Sequence, residues 1–428
     1  MLTGFVLLVS MPARAFLEVT VTEGVSGAIP VAIAPFSWQG PGLPPADDID
    51  EILRNNLNRS GQFRVVDRGG LPVAPASPDQ FVPEEWARSG AEYLVAGASR
   101  REGDRIVTEF HVYDILAGSR LAGYRLPFEE SRLRRGAHRV SDIVYEEILG
   151  ESGAFSAYIA YVTTSGRGED RRYVLEVADS DGADPRILFR SSQPVMSPVW
   201  SPNGRELAYV SFENRRSQIF RHNVETGARS QVAAFDGINS APAWSPDGNR
   251  MAMSLSKDGA PNIYVMDLTS GRTLAITSGS SIDTEPVFSP DGQTIFFTSD
   301  RAGGPQIYRV PANGGSATRL TFDTSYAAAA QVTPDGRSLI FVQGGEGRFR
   351  VARLDLADRR VTLLTNGRND ESPSVSPNGS MILFATMERG QRVLGLTSRD
   401  GRVQQRMAGR TGEVQEPAWS PIPRSMRN

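Results

Sequence analysis

The chain has 428 residues, enough for two or three domains, and its 42 glycines and 28 prolines mark it as rich in turns. A formal net charge of −3 gives no bulk electrostatic case for binding nucleic acid or an anionic membrane. The absence of cysteine excludes disulfides, thiolate zinc sites and thiol nucleophiles.

Residues 1–15 read as an export signal. Leu2 to Ser10 is a short apolar run, too short to span a bilayer as a helix. Ala13 and Ala15 then fit an A-x-A cleavage site that leaves Phe16 as the mature N-terminus. The alternative is an ordinary buried N-terminal segment. No later segment is long and apolar enough to anchor the chain, so the expectation is a product without membrane insertion, soluble in an extracytoplasmic space. Phe16–Thr22 alternates like a strand, and Glu23–Ala28 is a Gly/Ser-containing tether, so residues 16–28 form a unit of their own.

Residues 29–150 predict a small α/β domain. Ile29–Phe36 reads as a buried strand. Asp47–Ser60 reads as an amphipathic helix with Ile49, Ile52, Leu53 and Leu57 on one face. Phe63–Asp67 is a strand, Leu71–Pro83 a Pro-rich loop and Pro83–Ser89 a short helix. Tyr93–Ala98, Ile106–Tyr113 and Arg120–Pro127 are strands, and Arg134–Leu149 a closing helix. The order β-α-β-α-β-β-β-α indicates helices on a mixed sheet.

From about residue 155 to 425 one phrase recurs. It reads Pro198-Val-Trp-Ser-Pro-Asn-Gly204, Pro242-Ala-Trp-Ser-Pro-Asp-Gly248 and Pro286-Val-Phe-Ser-Pro-Asp-Gly292. It continues as Ala330-Gln-Val-Thr-Pro-Asp-Gly336, Pro373-Ser-Val-Ser-Pro-Asn-Gly379 and a truncated Pro417-Ala-Trp-Ser-Pro421. Its Ser/Thr falls at 201, 245, 289, 333, 376 and 420, a step of 44 or 43 residues. A β-rich period of this length is the mark of propeller blades. Ser-Pro-Asp-Gly suits a tight turn, with Pro presetting φ and Gly taking φ > 0. Trp200, Trp244, Phe288 and Trp419 are expected between neighbouring blades. The first blade begins at Tyr158-Ile-Ala-Tyr-Val162 with no phrase before it, so Pro417–Pro421 should supply its inner strand and close a ring of six blades.

The motifs for chemistry are sparse. His111, His138 and His222 are isolated in the sequence, and neither a Gly-x-Ser-x-Gly elbow nor a Walker A loop occurs. Carboxylates cluster just before several inner strands: Asp236, Asp283 with Glu285, Asp370 with Glu371, and Glu413 with Glu416. They would converge at one end of the central channel, either as a site for a hard cation such as Ca²⁺ or as a solvated acidic mouth. No cofactor is otherwise expected. An exported hydrolase or lyase with its active site in the channel is the main rival to a binding protein, and a sugar-binding propeller is a third reading.

The Trp-Ser-Pro-Asp-Gly turn, the strand Ile263-Tyr-Val-Met-Asp267 and the outer phrase Arg319-Leu-Thr321 resemble the propeller repeat of the TolB family. So do Ile-Pro-Val-Ala-Ile-Ala-Pro-Phe36 and the hinge Gly153–Val162, so that the resemblance covers nearly the whole chain. It implies a non-catalytic periplasmic scaffold of the Tol–Pal system, a monomer that supports outer-membrane integrity and envelope constriction at division. It implies two partners, the lipoprotein Pal at one face of the propeller and TolA at the extreme N-terminus. Carried over by position, the TolA segment would be Leu17, Glu18, Val19, Thr20, Val21 and Thr22, a peptide able to add to a partner's sheet edge. The other reading is a strand of the protein's own fold, and both could hold in different states. The Pal-contacting positions would be Ile238, Ala241, Thr284 and Glu285, with Asn239, Asp283, Asp370 and Glu371. Ile238 replaces a polar or His-like position of the family, and the fourth phrase, with Tyr326 and Ala327–Ala330 before it, is degenerate.

Overall fold

The computed structural model describes residues 17–18, 27–75, 77–407 and 412–423. The expected export signal, Phe16 and the segment Val19–Thr22 lie outside the described residues.

The N-terminal domain follows its hydrophobic periodicity. Strand β1 (Leu17–Glu18) stands apart. The domain proper comprises β2 (Ile29–Ile33), β3 (Ser37–Trp38), α1 (Ile49–Arg59), β4 (Phe63–Val65), α2 (Pro83–Ala87), β5 (Tyr93–Glu102), β6 (Arg105–Asp114), β7 (Ser119–Glu129) and α3 (Leu133–Leu149). The sheet order is β4-β2-β5-β6-β7. The β2 pairings to β4 and β5 are parallel and the β5-β6-β7 meander is antiparallel. One face carries Val31, Ile33, Val95, Phe110 and Val112 against Leu53 and Leu57 of α1 and Val140 and Val144 of α3. The other carries Ala32, Leu94 and Tyr113 against Trp86 of α2. Helix α3 ends where Gly150 turns left-handed at φ 71°, a conformation without a Cβ penalty.

Six sheets follow, each an antiparallel blade. Blade 2 is Val195–Trp200, Glu206–Ser211, Gln218–Asn223 and Arg229–Ala233. Blades 3 to 6 repeat that plan, with inner strands Asn239–Trp244, Asp283–Phe288, Tyr326–Val332 and Glu371–Val375. Blade 1 is composite: its inner strand, Glu413–Trp419, comes from the far end of the chain and pairs with Tyr158–Ser165. Ser420 tightens the joint, its N–H donating to Tyr158 O and its Oγ accepting from Tyr158 N, both at 2.8 Å. The ring thus closes as the truncated sixth phrase predicts.

The repeated phrase works as a turn and as packing. Gly204, Gly248, Gly292, Gly336 and Gly379 have φ between 69° and 74°, and each donates its N–H to the carbonyl of the Ser or Thr three residues earlier. The Asp or Asn between them accepts from that residue's hydroxyl and from a following N–H. Trp200 donates its indole N–H to Ala418 O of blade 1 at 3.1 Å, and Trp244 to Val199 O of blade 2 at 3.3 Å. Trp200 and Trp244 are therefore staples between blades.

The N-terminal domain sits on the end of the propeller that carries these turns. Gly61, after α1, abuts Ser398 and Val403 of blade 6; Asn378 of blade 6 donates to Ser152 O. Strand β1 pairs antiparallel with the outer strand of blade 6, Gln404–Met407, Leu17 opposite Met407 and Glu18 opposite Arg406.

Candidate functional site

The inner strands line the central channel, and the loops leading into them gather at the end opposite the N-terminal domain. Each inner strand carries the same local break one to three residues in. Ser197, Ala241, Glu285, Ala329, Ser372 and Glu416 all turn left-handed, with φ from 49° to 55°, and the pairing register shifts beside each one. These are β-bulges, and a non-glycine residue there costs on the order of 1 kcal/mol. The bulge leaves an N–H outside the ladder. Two glutamates of the ring satisfy such a group on the next blade: Glu285 Oε2 accepts from Ala329 N at 2.7 Å, and Glu416 Oε2 from Ser197 N at 3.2 Å. Thr298 Oγ1 also donates to Glu285 Oε2 at 2.7 Å.

The mouth carboxylates interact with one another. Burial raises the pKa of Glu416, and repulsion from Glu285 and Glu371 adds to it, against the Ser197 N–H and Arg392. Arg392 pairs with Glu371 at 3.2 Å. Tyr326 is likewise raised, by burial and then by Glu285 and Glu371. The remaining acids have partners or face solvent. Asp283 is fully buried and takes both its bonds from Arg301 Nη2 at 2.9 and 2.7 Å. Asp370 is fully buried and accepts from Thr386 Oγ1 and Gly367 N. Glu413 lies 3.6 Å from Arg171, and Asp236 is exposed. Among the described residues no group of three acidic or histidine side chains is arranged to hold a metal ion.

The sequence-derived contact positions divide by exposure. Ile238 is 46% exposed, held by its N–H to Ser256 Oγ at 2.7 Å. Ala241, Thr284, Glu285 and Glu371 are partly exposed around the bulges. Asn239, Asp283 and Asp370 are fully buried at one repeat position and brace the loops from within. Asn239, for example, caps Phe235 N at 2.9 Å through Oδ1 and donates to Phe235 O at 2.7 Å. Sequence reasoning passed over Ile282, 50% exposed, and Phe322, 56% exposed, on the neighbouring loops. Ile282 stands 44 residues after Ile238, so the repeat spacing itself could have found it. The mouth thus has an apolar arc, Ile238, Ile282 and Phe322, over blades 3 to 5, and glutamates on blades 4, 6 and 1, Glu285, Glu371 and Glu416.

The three histidines are structural. His138 of α3 is buried with Nδ1 2.9 Å from Asn56 Nδ2, and His222 lies 3.3 Å from Tyr209 OH. His111 packs over Gly123 in the N-terminal sheet.

Comparison with known proteins agrees with this architecture from end to end. The profile of the TolB amino-terminal domain matches residues 17–121, and that of the TolB beta propeller domain matches residues 145–423. The chain is 59% identical over 417 residues to the Tol-Pal system protein TolB of Thioalkalivibrio sulfidiphilus, covering 97% of this chain and 96% of the relative. It is 59% identical over 405 residues to that of Methylococcus capsulatus, covering 95% and 94%. The crystal structure of TolB from Acinetobacter baumannii superposes with a TM-score of 0.87 at 36% identity, over 95% of this chain and all of that one. By domain order, blade number and identity along nearly its whole length, the chain belongs to the TolB family.

Proposed function

We propose that the chain is a non-catalytic periplasmic scaffold of the Tol–Pal system, binding the lipoprotein Pal at the propeller mouth and TolA through residues 17–22. In this reading it acts as a monomer and supports outer-membrane integrity and envelope constriction at division. The observation that carries it is the distribution of variation around the ring. Residues that repeat from blade to blade are spent on turns and packing. Those that differ, Ile238, Ile282, Thr284, Glu285 and Glu371, stand at the mouth with exposed surface. An exposed apolar patch beside fixed charges is what a protein partner reads. The structural use of all three histidines supports the non-catalytic part, and no helix among the described residues is long and apolar enough to cross a membrane.

The N-terminal segment supports a second contact. Leu17 and Glu18 lie on the edge of blade 6, so the same peptide has a place on its own propeller and, once released, the strand character to add to TolA. Two experiments test the proposal. Mature protein with a folded propeller is expected to retain the cognate Pal in a pull-down; failure to do so contradicts the mouth assignment. Deleting residues 16–22 is expected to abolish TolA binding while Pal binding stays or strengthens; unchanged TolA binding sinks the N-terminal assignment.

A further inference from the structure

The ring has one joint that the chain does not make covalently. The inner strand of every other blade is followed directly by its own second strand. In blade 1 the inner strand, Glu413–Trp419, and the second, Tyr158–Ser165, meet from opposite ends of the propeller sequence. The inner strand is continuous with blade 6, and the second strand with the N-terminal domain.

The N-terminal domain grips both sides of this joint. On the blade 1 side, Arg135 Nη1 of α3 donates to Asp179 Oδ1 at 2.9 Å and Arg135 Nη2 to Ser156 O at 3.1 Å, while its guanidinium stacks 3.9 Å from the Tyr158 ring centroid. Arg134 pairs with Asp181, and Arg59 of α1 donates to Ser180 Oγ at 2.6 Å. Asp142 of α3 accepts from Phe155 N at 2.6 Å and Ser156 N at 3.1 Å. On the blade 6 side, Gly61 is seated so closely that an added Cβ would lie 2.9 Å from Val403 Cγ2 and 3.0 Å from Ser398 Cβ. The link after α3 adds Glu151 to Arg399 at 3.4 Å and Ser152 O to Asn378 Nδ2 at 2.9 Å.

The apolar cores tell the same story. The junctions between blades 1 and 2, 2 and 3, 3 and 4, 4 and 5, and 5 and 6 each have clusters of their own. The core at blades 6 and 1 is continuous with that of the N-terminal domain: Met381, Leu383, Leu396, Ile159, Val414 and Trp419 belong to the cluster that holds Leu57 and Tyr145. Unlike Trp200 and Trp244, which bond across the next two junctions, Trp419 has its Nε1 buried without a hydrogen-bond partner, and only its backbone N–H crosses to blade 6, donating to Ser374 Oγ at 2.8 Å.

We propose that the N-terminal domain is the lock of the propeller ring, holding the non-covalent joint of blade 1 shut by binding blade 6 and the first strands of blade 1 at once. Closing contacts between segments about 250 residues apart in sequence carries a loop-entropy cost that short turns between consecutive strands do not, and the domain offsets it by fixing both sides.

Hydrogen exchange on the full chain tests this. With Arg135→Ala, exchange at the amides of residues 413–419 is expected to accelerate at least about tenfold more than exchange at those of the inner strand 239–244. Arg399→Glu, on an exposed pair and safe for folding, is expected to give about threefold at the same strand. Should Arg135→Ala fail to fold, Arg399→Glu decides alone. Faster exchange confined to residues 29–149, or spread equally over all the inner strands, would overturn the proposal.

Discussion

The two ends of the propeller use charge in opposite ways. At the mouth, Glu371 and Arg392 pair across partly exposed surface, and Ile238 and Ile282 point apolar area at water. At the other end, buried Asp179 pairs with partly buried Arg135, and Arg59 and His138 are buried beside them. Exposed pairs add little stability because water competes for both partners, whereas a buried pair broken on one side leaves an uncompensated charge. The first end is therefore free to vary. The second holds the molecule together.

The largest effect that would sharpen this contrast is Arg135→Ala, which removes the close partner of Asp179, leaving Arg134 at 3.8 Å, and removes the stack on Tyr158. It is expected to cost about 1–3 kcal/mol in urea unfolding, and a cost near zero would erase the difference between the ends. Acid is the next probe. Burial holds His138 at a pKa of about 3, against 6.5 for the free side chain, with Asp181 pulling upward and Arg59, Arg134 and Arg135 adding to the lowering. A depressed histidine stabilises the fold fully above its unfolded pKa, and that contribution is lost as pH falls from 6.5 towards 3. Asp142 and Asp179, both raised to about 6 by burial, run the other way and favour the fold as pH falls through 6 towards 3.8. Comparing the wild type with His138→Gln isolates the histidine. Relative to the variant, the wild type is expected to lose up to about 1.4 kcal/mol per pH unit below 6.5. Parallel pH profiles would contradict the buried neutral imidazole.

Smaller effects separate the blade junctions. Trp244→Phe removes a hydrogen bond and is expected to cost about 1 kcal/mol more than Trp419→Phe, whose indole N–H has no partner to lose. The smallest effect belongs to the mouth. Ile238→Ser and Ile282→Ser are expected to move stability by less than about 0.5 kcal/mol in either direction, since about half of each residue already faces water. A large loss would mean that the apolar arc is part of the core.

Much of the fold is legible in the sequence because the physics is local. Ser-Pro-Asp-Gly requires its turn, a strand follows each glycine, and a truncated sixth phrase leaves blade 1 one way to be completed. The α1 stripe Ile49, Ile52, Leu53 and Leu57 likewise dictates a buried face. The seam is illegible for the opposite reason. Arg135 and Asp179 are 44 residues apart, and Arg59 and Ser180 are 121 apart, and nothing near any of them signals a partner. The bulges are hidden too. The left-handed position is held by Ser, Ala or Glu, never Gly, so the residue type gives no warning of the backbone. That hidden geometry is why Asp283 and Asp370, placed on the partner-facing surface by position, turn inward to Arg301 and Thr386, while their neighbours Glu285 and Glu371 stay at the mouth.

Calorimetric titration of the cognate Pal into the mature protein and into an Ile238→Ser/Thr284→Arg variant addresses the mouth most directly. Saturable binding by the wild type, weakened at least about tenfold in a variant with an unchanged unfolding midpoint, is the expected result; tenfold corresponds to about 1.4 kcal/mol. Equal affinity in the two proteins would contradict the placement of Pal at the channel mouth.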